Sequence, residues 1–166
     1  MRLYLIRHSN AVEPGTPGYE DDSSRPLTEK GRDKMRDISY ALKALEIQPD
    51  RIVSSPYVRA RETAEIVAKV LKYKQELSFS DALVPEGDAD QIIGEINEKY
   101  SVDELILVGH EPCLSGLIGM LIAGKPDIDI DLKKGGVCCL STDDLHVERK
   151  AVLEWFLTPK IMNEIS

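Results

Sequence analysis

Four consecutive apolar residues, Leu3-Tyr4-Leu5-Ile6, run straight into Arg7-His8 near the start of the chain. A short, uniformly apolar run of this kind reads as a strand buried on both faces, as in a parallel sheet covered by helices. The pattern recurs twice. Arg51-Ile52-Val53 leads into Ser54-Ser55-Pro56 and then Arg59, and Leu105-Ile106-Leu107-Val108 leads into Gly109-His110. In an open α/β sheet, parallel strands deliver their carboxyl ends to one edge, where ligands bind. Three such deliveries would gather Arg7, His8, Arg59 and His110 around one point. Two guanidiniums and two imidazoles together suit a phosphoryl group.

The segments between these strands support a layered fold. Thr28 predicts the N-cap of a helix running to about Leu45, with Met35, Ile38, Leu42 and Leu45 at helical spacing. Ser55 predicts the cap of a second helix that starts at Pro56 and carries Arg59 near the positive end of its dipole. Phe79 to Pro85 reads as a weak strand or loop, and Ala89–Tyr100 as a helix with Ile92, Ile93 and Ile96 inward. Another helix starts near Pro112, burying Leu114, Leu117, Ile118 and Leu121. Val137–Ser141 and Ala151–Leu157 read as a terminal hairpin around Asp143-Asp144. The order of elements predicts an α/β protein with a mainly parallel sheet. A length of 166 residues suits a single domain spanning 1–166.

Asn10 to Pro26, which leaves directly from His8, holds three prolines, two glycines and the acidic run Glu20-Asp21-Asp22. A structureless loop of that size is often functional, here as a wall of the site. The acidic run itself reads as a solvated face.

Composition removes several function classes. The 21 basic and 29 acidic side chains give a net charge of −8, without the basic stripe of a general nucleic-acid binder. No apolar stretch reaches membrane-spanning length, and a strand at residue 2 leaves no room for a signal peptide. Cys113, Cys138 and Cys139 are odd in number with two adjacent, which predicts free thiols in a reducing, cytoplasmic setting. Their spacing matches no metal motif.

The candidate residues fit phosphoryl transfer. Arg binds two phosphoryl oxygens through one planar fork. A neutral imidazole keeps a lone pair for in-line attack, and a phosphorylated His splits the transfer into two easier displacements. With the charge met by Arg and a second imidazole, the chemistry requires no metal and no other cofactor.

Four sequence blocks then carry a resemblance. Leu5-Ile6-Arg7-His8-Ser9-Asn10-Ala11 resembles the Arg-His-Gly signature of the histidine phosphatase superfamily, the phosphoglycerate mutase-like fold. Arg25-Pro26-Leu27-Thr28-Glu29-Lys30-Gly31 resembles its next block, and Ser54-Ser55-Pro56-Tyr57-Val58-Arg59-Ala60-Arg61-Glu62-Thr63-Ala64 its Ser-Pro-x-x-Arg-Ala-x-Gln-Thr-Ala block. Val108-Gly109-His110-Glu111-Pro112 resembles the segment with the second histidine. The small size and the ending Trp155-Phe156-Leu157-Thr158-Pro159 look most like the SixA branch, which removes phosphate from histidine-containing phosphotransfer domains. The resemblance implies a three-layer α/β/α sandwich with a mainly parallel central sheet. It also implies His8 as nucleophile, Arg7 and Arg59 as phosphate clamps, and His110 as a partner of the transferring group. Arg25 is placed at the rim as a further substrate contact.

Two positions depart from the family pattern. Ser9 stands for the usual Gly, either as a phosphate ligand or as a crowded turn residue, and Glu62 stands for Gln on a solvated or structural helix face. The general acid stays open between Glu111, Glu86, Asp88 and none, since a phosphoramidate leaves as imidazole and asks less of an acid than a monoester does. The expected substrate is a phosphorylated histidine-containing protein. The alternatives are a small phosphomonoester, or a phosphoryl-binding module with little turnover. Cys113 is expected as a small buried side chain, and His146 carries no role.

Overall fold

A computed structural model describes residues 1–143, 145 and 151–165. Among these, six strands form one sheet: β1 (Arg2–Arg7), β2 (Arg51–Ser54), β3 (Ser78–Phe79), β4 (Glu104–Gly109), β5 (Val137–Ser141) and β6 (Val152–Leu157), in the order β3-β2-β4-β1-β5-β6. The first four are parallel to their neighbours, whereas β5 runs antiparallel to β1 and β6 antiparallel to β5. The helices are α1 (Glu29–Ala44), α2 (Val58–Leu71), α3 (Ala89–Lys99), α4 (Cys113–Ala123) and α5 (Pro159–Ile165).

Alternation along the strands explains why uniformly apolar runs are needed. Leu3 and Leu5 join Leu105, Leu107, Cys138 and Leu140 in a core covered by α3 and α4 through Ile92, Ile96, Leu114 and Leu117. Tyr4 and Ile6 point the other way, with Ile106, Val108 and Cys139, into a core covered by α1, α2 and α5. The result is the expected three-layer α/β/α sandwich. Truncating Leu5 or Ile6 to Ala would cost about 2–5 kcal/mol and loosen the strand that carries His8.

Local signals were realised unevenly. Thr28 caps α1 by accepting from Gly31 N at 3.0 Å. The Ser55 cap with Pro56 at the first helical position does not form: α2 begins at Val58 behind Tyr57, which makes no side-chain cap bond. The Ser55 hydroxyl instead lies 2.9 Å from His110 Nε2 and accepts from Tyr57 N at 3.3 Å. Phe79 to Pro85 contributes the end of the two-residue β3 and a 3-10 turn at Asp81–Leu83. The short α5, with Met162 as its buried anchor, had no expectation from sequence. β5 and β6 pair as a hairpin would, while Asp144 of the expected turn and His146 lie outside the described residues.

The loop after His8 is not structureless. An isolated antiparallel bridge joins Ala11 to Leu27, and Asp22–Ser24 forms a 3-10 turn. Its first residue packs directly on α1: a Cβ at Gly31 would meet Asn10 O at 2.0 Å, and Thr28 N donates to that same oxygen at 3.0 Å. Glycine is required there by close approach of the backbones.

Candidate active site

Three adjacent strands, β2, β4 and β1, end side by side, and backbone bonds continue past the sheet to fix the residues just beyond it. His8 N donates to Gly109 O at 3.0 Å, and Ser55 N donates to Val108 O at 2.9 Å. Gly135, at φ +81, donates to Arg7 O at 3.0 Å and seals the other flank of β1. Arg7, His8, Arg59 and His110 are brought together as the sequence predicted, with the His8 and His110 rings 4.9 Å apart between centroids.

His8 Nδ1 lies 2.7 Å from Ser9 O, a carbonyl that only accepts, so the ring proton sits on Nδ1. The Nε2 lone pair then faces Arg59, whose Nε donates to it at 3.3 Å. Both imidazoles are shut away from solvent, with His8 6% and His110 1% exposed. Burial, reinforced by the Arg59 and Arg7 charges and opposed by the Ser9 carbonyl, lowers His8 to about 3. Burial and then the neighbouring His8 and Arg59 lower His110 to about 2. Near neutral pH both rings are uncharged, and His8 keeps an unprotonated Nε2 whose lone pair accepts from Arg59 Nε.

The surrounding groups hold this pair. Arg7 anchors through Nη1 to Leu132 O at 2.8 Å, which leaves its buried Nε without a partner. Ser9 Oγ and His110 Nδ1 are likewise buried and unpartnered. Buried polar atoms in a native fold are normally satisfied, so three orphans on residues at the ends of β1 and β4 are groups left short of a polar partner. Ser9 N donates to Thr63 Oγ1 at 3.2 Å, and Thr63 Oγ1 donates in turn to Arg59 O at 2.8 Å. The Tyr57 ring meets His110 edge-on at 5.2 Å and lies 5.1 Å under the Arg59 guanidinium.

Asp22 was expected in a solvated run, yet it bonds Arg59. Its carbonyl accepts from Nη1 at 2.7 Å and its Oδ2 from Nη2 at 2.9 Å. Arg25, expected at the rim, is 9% exposed and commits its guanidinium to Asp22 Oδ1 and to Val12 O. Glu62 is structural, accepting from Leu27 N at 2.7 Å and pairing with Arg32 at 2.9 Å. Asp22, Tyr57, Thr63 and the hydroxyl of Ser55 were missed as site-builders. Tyr57, Thr63 and Ser55 lie inside the matched Arg59 block, which was the available signal. Asp22 had only its place three residues before Arg25.

The three candidate acids line one pocket of about 590 Å³ beside the helix starts. Asp88 is spent as the α3 cap, accepting from Gln91 N at 3.0 Å. Glu111 accepts from Ser115 N at 3.1 Å and from the Ser115 hydroxyl, and burial raises its carboxyl against these bonds. Glu86 is exposed and lines the same pocket. Cys113 is buried, its thiol pushed up to about 12 by desolvation, an inert packing residue. Among the described residues, no group of three or more His, Cys, Asp or Glu side chains is placed to hold a metal ion, and no helix is long and apolar enough to cross a membrane.

Known proteins share parts of this sequence and its fold. Residues 3–84 match the family model of the histidine phosphatase superfamily (branch 1). The chain is 30% identical over 159 residues to an uncharacterized protein of Picosynechococcus sp., covering 95% of this chain and 94% of the relative. It is 27% identical over 127 residues to the phosphohistidine phosphatase SixA of Escherichia coli, covering 75% and 76% of the two chains. In fold it is similar to the structure of the protein histidine phosphatase SixA complexed with tungstate, at a TM-score of 0.83 and 23% identity over 98% of this chain and 99% of that one.

Proposed function

The chain belongs to the histidine phosphatase superfamily, and from that membership we propose that it removes phosphate from phosphohistidine on a protein partner, through a covalent intermediate on His8. The observation that carries the reading is the fixed tautomer of His8. Its Nδ1–H is held by Ser9 O, so Nε2 offers a lone pair beside the Arg59 Nε.

In the first displacement His8 Nε2 attacks phosphorus, and the bond from phosphorus to the substrate imidazole breaks. The electron pair leaves on that imidazole, which is neutral once it holds one proton. In the second, water attacks phospho-His8 and yields inorganic phosphate, with the electron pair returning to Nε2. Arg7 and Arg59 meet the charge on the equatorial oxygens, and His110 Nδ1 and Ser9 Oγ are the unpartnered groups available to the remaining one. The SixA relative acts on phosphohistidine by name, and a SixA of the same fold forms a complex with tungstate, an oxyanion.

The bonding of two of the acids supports the substrate class. Asp88 is engaged as a helix cap and Glu111 is engaged by Ser115, an arrangement suited to a leaving group that needs little protonation. A second reading rests on the raised carboxyl of Glu111, the feature of a general acid, and makes a phosphomonoester the substrate. Phosphate release from a phosphohistidine protein and from a panel of phosphomonoesters separates them. Preference for phosphohistidine supports the first reading, and faster monoester hydrolysis replaces it with the second. Silence on every substrate leaves only a binding module.

A further inference from the structure

Asp22 places a carboxylate where a phosphate site would ordinarily exclude one. Its two bonds to Arg59, from carbonyl O to Nη1 at 2.7 Å and from Oδ2 to Nη2 at 2.9 Å, both lie on the end-on edge of the guanidinium. The side-on edge, made by Nε and the second Nη2 hydrogen, is left free of Asp22. On that edge Nε points to His8 Nε2 at 3.3 Å. Asp22 is itself braced from behind. Its Oδ1 accepts from Arg25 Nε at 2.8 Å and pairs with Arg25 Nη2 at 2.7 Å, while Arg25 Nη1 donates to Val12 O at 2.5 Å. An unbroken chain of bonds thus runs from the loop backbone through Arg25 and Asp22 to Arg59 and the candidate nucleophile.

An arginine side chain has many rotamers, so a guanidinium stays in one orientation only where fixed acceptors hold it. Arg59 is 3% exposed, and the acceptors for its Nη groups come from Asp22. We propose that Asp22 is the positioning residue of the phosphate clamp, gripping Arg59 by its end-on edge so that the side-on fork faces the phosphoryl group on His8. Arg25 serves to fix Asp22. The proposal rests on the phosphatase reading above and gives the long loop its part in it. The Asp22 charge also repels a phosphate dianion, so its loss slows the transfer step without weakening substrate binding.

The contrary role is a plug, a carboxylate that substrate must displace. Steady-state hydrolysis of p-nitrophenyl phosphate by Asp22→Ala decides between them. Positioning predicts a kcat lower by about tenfold or more, with KM unchanged or reduced. An unchanged or raised kcat overturns the proposal. Where the Ala variant does not fold, Asp22→Asn keeps one oxygen for Arg59 and gives a smaller fall in kcat, whereas wild-type kcat in that variant also overturns it. A second readout needs no turnover. The Arg59 Nε proton is expected as a slowly exchanging NMR signal in the native protein and lost in Asp22→Ala, and persistence of the signal refutes the proposal. A native protein that releases phosphate neither from p-nitrophenyl phosphate nor from a phosphohistidine protein sinks the phosphatase reading, while the NMR comparison still decides the role of Asp22.

Discussion

The two sides of the site are built on different physical terms. On the phosphoryl side, Arg7, His8 and His110 stand at the ends of β1 and β4, tied by backbone bonds that continue the sheet, and Arg59 in the first turn of α2 is held by Asp22. On the side of the candidate acids, Glu86, Asp88 and Glu111 line a pocket, and the latter two are bonded to helix N-termini. The first side is rigid because strand ends cannot shift without disturbing two cores. The second is assembled from caps and loop residues, with Asp88 and Glu111 already satisfied locally. In the proposed reaction, charge recognition thus rests on strand ends and one braced arginine, and proton supply on acids held by local bonds.

Removing a clamp breaks the contrast most strongly. Arg59→Ala is expected to lower kcat/KM by about 10²–10³-fold, as loss of one preorganised charge contact does. A drop below tenfold in steady-state assays would mean that Arg7 and His110 suffice. Glu111→Gln probes the other side. Its effect on phosphohistidine should stay within about threefold, while hydrolysis of an alkyl phosphomonoester falls about 100-fold if Glu111 serves as its acid. Equal large losses on both substrates would make Glu111 part of the phosphoryl side.

A smaller effect appears in stability. His8 and His110 titrate at about 3 and about 2 in the fold against an ordinary 6.5, so the unfolded chain takes up protons first as pH falls. Stability is therefore unaffected by them above pH 6.5 and declines as pH drops from there toward 3. The melting temperature should follow that trend, with a shallower slope in His8→Gln. An identical slope in the variant would show that His8 is not buried neutral.

Legibility in the sequence divides along the same line. Leu3–Ile6 and Leu105–Val108 announce buried strands by composition alone, and each is followed by its histidine, so the phosphoryl side can be placed from these runs. Thr28 was readable as a cap because its hydroxyl has a local partner in Gly31 N. Ser55 carried the same local signal and misled, because a long-range partner, His110, took its hydroxyl. Asp22 was illegible for the same reason: its bonds to Arg59 span 37 positions, and an acidic run carries no mark of what it will meet. Local chemistry predicts local satisfaction, and functional sites are where distant groups compete for it.

The central claim is that phosphate passes through His8. Quenching the protein in alkali during turnover of a phosphohistidine-bearing protein, then mapping phosphate by mass spectrometry, tests it directly. Phosphate on His8, absent in His8→Ala together with phosphate release, is the predicted result. Phosphate on another residue, or undiminished release by His8→Ala, would contradict the account.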